Sequence, residues 1–532
     1  YPSTVVLPNN TTAFYINNFA HKIVGFVVYD DSTINQATSM AGALGGIMVH
    51  EALMTGPIAT TLANNNLQQI GDVRNMSERD VYLAHASLFN KNVMMRLSPN
   101  RRIELRDLAI LNGAFVFDDP GTGNVNRNLY LSGQNNHSLV LGWSSQGEQE
   151  FFRSVSDNNL MAVPADWLRS SSAPAQWGID VPQQPGHTHP GTPTVPNKHY
   201  VAFVMSDGDN IQHLTNNAAD ARWYGSPHRG KFAMNFDMSP ALAKFHPTAM
   251  KWYYDQAASD DKKTFFLAAG GEGLNFPSRV SDIQGFMDAT VAAMTEADHN
   301  IISVLDENYN LTKLRQMVER PEVMGLMYKT WASAYKGRNG AIDWHQGKPI
   351  VSVKYSLWDG FDTPNSIINA LNGAPKAPLT NQASYSIVNV HPWSTSLSGG
   401  GQGDPMSNIN YIVQNLSSSV EVVTLEELFI HLRRNFGTPV DIPPLEGDFN
   451  GDGIVDASDY VLWRAQNGTS DEYNAWRRNF DATMNTASSG GQLGGAAVPE
   501  PKSMFILLGC ALVKTLIIGR VRGCTRTQSR SA

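Results

Sequence analysis

Cysteine is almost missing from this chain. Its 532 residues hold two, Cys510 and Cys524, both close to the C-terminus. The body of the protein therefore has no disulfide framework and no cysteine-ligated metal site. Charge is sparse as well, at 17% of residues and a net value of -8. Lys and Arg do not cluster before the C-terminal segment, which argues against a nucleic-acid partner. Several catalytic signatures are absent: there is no GxSxG elbow, no GxxxxGKS/T phosphate loop, no HExxH and no HxxxH pair. "GALGGIM" has the wrong spacing for a dinucleotide fingerprint.

What is present describes a globular chain of several domains, with 42% hydrophobic residues. Low charge with abundant Asn, Ser, Thr and Gly matches exported bacterial proteins. A cell-surface or extracellular location is the expectation. In residues 1–177, "KIVGFVVYD" reads as a strand and "TINQATSMAGALGGIMV" as a helix, and "SLVLGWSSQGEQEFFRSVSDNN" repeats the pair. This is an N-terminal α/β domain. Residues 178–197 are a Pro-rich linker whose His187 and His189 read as solvated.

From 198 to 436 strand and helix alternate. "YVAFVMSD", "GKFAMNFD", "TFFLAAGG", "NIISVLDE", "VMGLMYK", "PIVSVKYSLW", "YSIVNVHPW" and "VEVVTL" are the strands of a (β/α) barrel-like catalytic domain. Ligands of such folds sit at the carboxyl ends of the strands. Those ends are unusually polar here. The first carries Asp207, Asp209 and Asn210, the second Asp237, the third Glu272 and Asn275, and the fourth Asp306 and Glu307. The sixth adds Trp358 and Asp359, and the seventh His391 and Trp393.

Any one of these acids could simply cap a turn. Together they form what glycoside cleavage requires: facing carboxyls for acid, base or nucleophile, with aromatic rings to stack on a sugar. Asp207, Asp209, Glu272 and Glu307 are the catalytic candidates. Asn210, Asp237, Asn275, Asp306, Trp358, Asp359, His391 and Trp393 are the binding candidates. A metal-dependent carbohydrate deacetylase is an alternative, weakened by the missing HxxxH pair. A non-catalytic cell-surface carbohydrate-binding protein is another, and it would not need several facing carboxyls.

The stretches "FVMSDGDNIQ", "WYGSPHRGKFAMNFDMSPAL", "GEGLNFP", "GKPIVSVKYSLWDG" and "VNVHPWS" resemble the GxGYxYP family of glycoside hydrolases over roughly residues 1–436. The eponymous motif would be Gly271–Pro277. Leu274 and Phe276 stand where the family has tyrosines. The resemblance implies a polysaccharide or oligosaccharide substrate.

A second acidic stretch, "DFNGDGIVDASD", has oxygen donors at calcium-loop spacing: Asp448, Asn450, Asp452, the Ile454 carbonyl, Asp456 and Asp459, with Gly453 at the turn. The segments "DYVLWRAQNG" and "EYNAWRRNFD" repeat one helix, so residues 445–482 resemble a dockerin type I module with one good calcium site. The resemblance implies a cohesin-like partner. Residues 483–497 are a flexible spacer. Residues 498–532 resemble a PEP-CTERM sorting tail: Val-Pro-Glu-Pro, an apolar helix for transient membrane insertion, then arginines.

Overall fold

The computed structural model describes residues 11–120, 125–181, 183–188, 193–261, 263–331, 334–437, 446–449, 454–465 and 468–480. They fall into two units, Tyr1–Val440 and Asp441–Ala532. The spacer at 483–497, the tail at 498–532, His189, Asn450 and Asp452 lie outside the described residues. Among the described residues no helix is long and apolar enough to cross a membrane.

The N-terminal region holds two parallel sheets rather than one continuous layer. Phe26–Tyr29 runs between Ile47–His50 and Gln69–Asp72. Val93–Arg96, Phe115–Phe117, Leu139–Gly142 and Met161–Pro164 form the second sheet. In that sheet Arg96 is fully buried and ion-paired with Asp119 at 2.6 Å and Glu150 at 2.8 Å. A buried guanidinium persists only where its fork is satisfied in this way.

The next region is the expected run of parallel strands, curled into a barrel-like sheet. In chain order they are His199–Met205, Met234–Met238, Thr264–Ala269, Ile301–Asp306, Gly325–Thr330, Lys348–Ser352 with Tyr355–Leu357, Tyr385–Val390 and Val420–Val422. The sixth strand bends. Its first half pairs with the fifth strand and its second half with the seventh. Accordingly the Val353 N–H donates to the Tyr328 carbonyl and the Lys354 N–H to the Ile387 carbonyl. One length of chain thus links the fifth strand to the seventh, and the edge strand Ile342–His345 pairs antiparallel with its first half.

Period-two alternation sorts these strands into two faces. Val201, Phe203, Phe266, Ile302, Val304 and Leu326 pack under the helical layer. Their neighbours Tyr200, Ala202, Phe265, Leu267, Ile301 and Met327 form the concave core, closed by Leu425, Leu428, Phe429 and Leu432 of the helix Leu425–Phe436. One end of the curl is therefore filled with apolar side chains. On the same concave phase, closer to the carboxyl ends, stand Asp237, Ala269, Ser303, Leu305 and Lys329.

The Pro-rich segment is anchored rather than free. Gln184 donates to the carbonyls of Phe266 and Asp298 and accepts from the Phe266 N–H. His187, expected to be solvated, lies between Glu426 at 2.6 Å and Asp298 at 3.2 Å. Those two hydrogen-bonded carboxylates outweigh its burial and raise its pKa to about 10. Composition alone could not reveal partners more than a hundred residues away.

In the second unit the helices Ala457–Ala465 and Ser470–Asn479 pack through Val455 and Trp476, with Phe449, Tyr460, Tyr473 and Phe480 around them. Trp463 of the first helix donates to the Thr469 carbonyl, just ahead of the second helix. Trp476 of the second donates to the Asp456 carbonyl, just ahead of the first. The two contacts are reciprocal.

Candidate active site

The stretch Asp207–Asn210 follows the first barrel strand, and its conformation depends on Gly208. A Cβ there would lie 1.6 Å from the Asp237 carbonyl oxygen, so no other residue fits. The Gly208 carbonyl instead accepts the Ser239 N–H at 2.7 Å, laying the loop flat on the exit of the second strand. Asp207 takes a left-handed backbone with φ 67°, a conformation Asp tolerates better than most residues. These constraints bring Asp207 and Asp209 into one pocket with Asp237. Gly208→Ala is expected to lift the loop and destabilise the fold by about 2 kcal/mol in denaturant titration. Unchanged stability would refute the packing argument.

The pocket encloses about 280 Å3 including its opening. Glu148, Asp207, Asp209, Asp237, Ser303, Lys329 and Tyr335 are its polar lining. Lys329 is paired with Asp237 at 2.6 Å, and both side chains are at most 5% exposed. Ser303 also donates to Asp237, whose other carboxylate oxygen takes no hydrogen bond. Burial raises the pKa of Asp237 in spite of the lysine. Asp209 keeps some exposure, yet burial, with Asp207 and Asp237 nearby, pushes its carboxyl up to about 7 against the pull of Lys329.

Asp207 accepts from the Ser206 hydroxyl at 2.5 Å, and its carboxylate lies 3.8 Å from His391 Nε2. His391 Nδ1 accepts the Trp393 N–H at 3.3 Å, which leaves the ring proton on the nitrogen facing Asp207. Burial lowers the pKa of His391 and keeps the ring neutral. It stacks on Trp358 with ring centres 3.6 Å apart and planes within 4°. Trp393 and Phe361 remain about half exposed, at 42% and 51%.

The other sequence candidates are engaged elsewhere. Asn210 caps the short helix Ile211–Thr215. Glu272 pairs with Lys244 at 3.3 Å and does not line the pocket. Its motif, Gly271–Pro277, joins the barrel to the upstream sheet. Leu274 and Ala162 exchange two backbone hydrogen bonds, and the Phe276 N–H donates to Ser156. Phe276 is fully buried against Phe152 and Trp331. Asn275 is buried beside it in sequence, at 3% exposure.

Asp306 accepts the backbone N–H and hydroxyl of Ser278, holding that loop. Glu307 is tied to Gln149, Arg153 and Arg279. Asp359 accepts the N–H groups of Thr395 and Ser396. Among the described residues no three His, Cys, Asp or Glu side chains cluster in a way that would hold a metal.

Sequence reasoning missed Lys329, Tyr335 and Glu148. Lys329 did carry a signal, since a lone lysine in the apolar strand "GLMYKT" falls in phase with the core residue Met327. Glu148 and Tyr335 arrive from outside the strand ends, and no local pattern marks them.

Residues 197–433 match a domain described as "GxGYxYP putative glycoside hydrolase C-terminal domain". Residues 91–175 match the family's third domain and 23–92 its second. This chain carries three domains of the GxGYxYP family. The boundary between the family's second and third domains falls where the two N-terminal sheets part. The GxGYxYP chain also shares its fold with a crystal structure titled a "putative hydrolase" from Bacteroides thetaiotaomicron. The TM-score is 0.67 at 23% identity, over 80% of this chain and 83% of that one. No curated protein matches the sequence.

Proposed function

We propose that this GxGYxYP protein is a glycoside hydrolase acting on a polysaccharide or oligosaccharide through the pocket at the carboxyl end of the curled sheet. The observation that carries the reading is the placement of Asp207 and Asp209 by Gly208 beside Asp237. Crowded, half-buried carboxyls hold on to a proton, and Asp209 does so to about 7. Such a group of carboxyls offers both a proton donor and an ionised base or nucleophile at neutral pH. Asp207, supported by Ser206 and faced by the neutral His391, serves as the base or nucleophile. Trp358, Trp393 and Phe361 give the opening aromatic faces for a sugar ring.

The test is a glycan-panel assay with the wild type and Asp207→Asn, scoring reducing ends and released acetate. Reducing ends that vanish in the variant support the reading. Acetate release would replace it with deacetylation, and binding without turnover with a carbohydrate-binding protein.

The second unit serves, in this reading, as a dockerin-like module that binds calcium and docks a cohesin-like partner. Asp459 is fully buried, and its carboxylate accepts the N–H groups of Phe449 and Asp456, closing the loop from within. The ligands would be Asp448, Asn450, Asp452, the Ile454 carbonyl, Asp456 and Asp459. An all-oxygen set of this kind suits a hard divalent cation. Calorimetric titration of the full chain should find one calcium per molecule, and none after Asp448→Ala. Absence of binding heat in the wild type would end this assignment. Export, with a cleavable membrane-sorting tail, completes the proposal.

A further inference from the structure

Glu148 opens the helix Glu148–Asp157, directly after Gly147, in the sheet domain upstream of the barrel. An acid in a first helical turn is commonly no more than a favourable partner for the helix dipole, pointing into solvent. Glu148 differs in three respects. Its side chain lines the barrel's pocket together with Asp207, Asp209 and Tyr335. Among the described residues it has no ion-pair partner, although basic groups satisfy its neighbours on the same helix: Glu150 is held by Arg96 and Arg127, and Arg153 is spent on Glu307.

Third, its own turn is locked. Gln149 donates to Glu307 of the barrel at 2.7 Å, while Ser144 and Arg96 hold Glu150. The carboxyl is thus carried to the pocket by a rigid element on the far side of a domain junction. Burial and the nearby Asp209 and Asp207 push its pKa up to about 8, so it keeps its proton at neutral pH.

We propose that Glu148 is the acid that protonates the leaving oxygen, supplied by the upstream domain to the barrel's site. This rests on the glycosidase reading above and assigns one of its roles. Asp207 and Asp209 come from a single tight turn, whereas glycoside cleavage needs its two carboxyls to approach the bond from separate directions. Glu148, on a different domain, meets that need. As the glycosidic carbon–oxygen bond breaks, the Glu148 proton passes to the departing oxygen and the alcohol leaves neutral. Water supplies the replacing oxygen and gives its proton to Asp207. Exchange with solvent then restores both groups.

The experiment compares full-length wild type, E148Q, D207N and D209N on dinitrophenyl and methyl glycosides of glucose, galactose, mannose, xylose and N-acetylglucosamine. Dinitrophenolate departs without a proton, so E148Q should retain cleavage within about tenfold on the aryl glycosides. On the methyl glycosides it should lose about 1,000-fold, within the range of general acid catalysis. The alkaline limb of the wild-type pH–kcat profile should disappear in E148Q. Thermal unfolding should be unchanged or raised, because a buried carboxyl is replaced by a neutral isostere.

Equal losses on both leaving groups, or an alkaline limb that persists in E148Q and vanishes in D209N, would overturn the assignment. An inactive D207N beside an unaffected E148Q would overturn this inference alone. No cleavage by the wild type of any glycoside would remove the hydrolase reading and this inference with it.

Discussion

Asp207→Asn should lower kcat for glycoside cleavage about 1,000-fold and leave KM within a few-fold. In its proposed role as base or nucleophile Asp207 makes an interaction that exists only in the transition state, and a loss of this size corresponds to about 4 kcal/mol of barrier. Asn keeps the shape that Ser206 and Gly208 have arranged. The Ser206 hydroxyl can still donate to the amide oxygen, so the loop should stay on the second strand. The measurement is steady-state kinetics on whichever glycan the wild type cleaves. A loss confined to KM would place Asp207 in substrate binding. A kcat within tenfold of wild type would remove it from the chemistry.

Lys329→Met should be the most destabilising single change at the site, by about 3 kcal/mol at neutral pH. The lysine is the cation that Asp237 depends on, at 2.6 Å in a buried setting. Removing one partner of such a pair leaves a buried carboxylate with only the Ser303 hydroxyl to hold its charge. The sign of the pH dependence follows. The folded-state pKa of Asp237 already lies above its ordinary value because of burial, and the substitution raises it further. Stability of the variant is then retained below the unfolded carboxylate pKa and lost as pH rises from there through the raised folded-state value.

Denaturant titration of Lys329→Met against wild type at neutral and acidic pH measures this directly. Asp237→Asn in the same background should recover much of the loss, since it removes the charge that was stranded. If the single variant were as stable as wild type, Asp237 would have another partner. If the double variant were no better than the single, the lysine would act by packing alone.

The two acidic stretches show how far one-dimensional reading reaches. The calcium proposal for "DFNGDGIVDASD" rests on spacing alone, because all the proposed ligands lie within twelve consecutive residues. The positions of the parallel strands were legible for a similar reason. Buried parallel strands are continuous apolar runs, and each run ends where polar residues begin. Asp207, Asp209, Asp237 and His391 could be named from strand ends, and three of them line the pocket while His391 faces Asp207.

The same rule also selected Glu272, Asp306, Glu307 and Asp359, and there it could not discriminate. A strand end specifies where a loop starts and not where its side chains turn. Glu272 turns to Lys244, and Glu307 is taken by a helix that begins about 160 residues earlier. Phe276 and Leu274 belong to a junction that exists only once two sheets meet.

By itself, then, the sequence determined the layer type, the positions of the strand ends and the Asp-Gly-Asp turn. All of these depend on neighbours close in the chain. Tertiary structure decided which acids share a pocket, that Lys329 neutralises Asp237, that His187 is held between two carboxylates, and that Glu148 reaches the barrel from another domain. Each of those depends on charges and burial contributed by distant segments. Electrostatic energy is set by separation in space and by the exclusion of water, and neither is written in the order of residues.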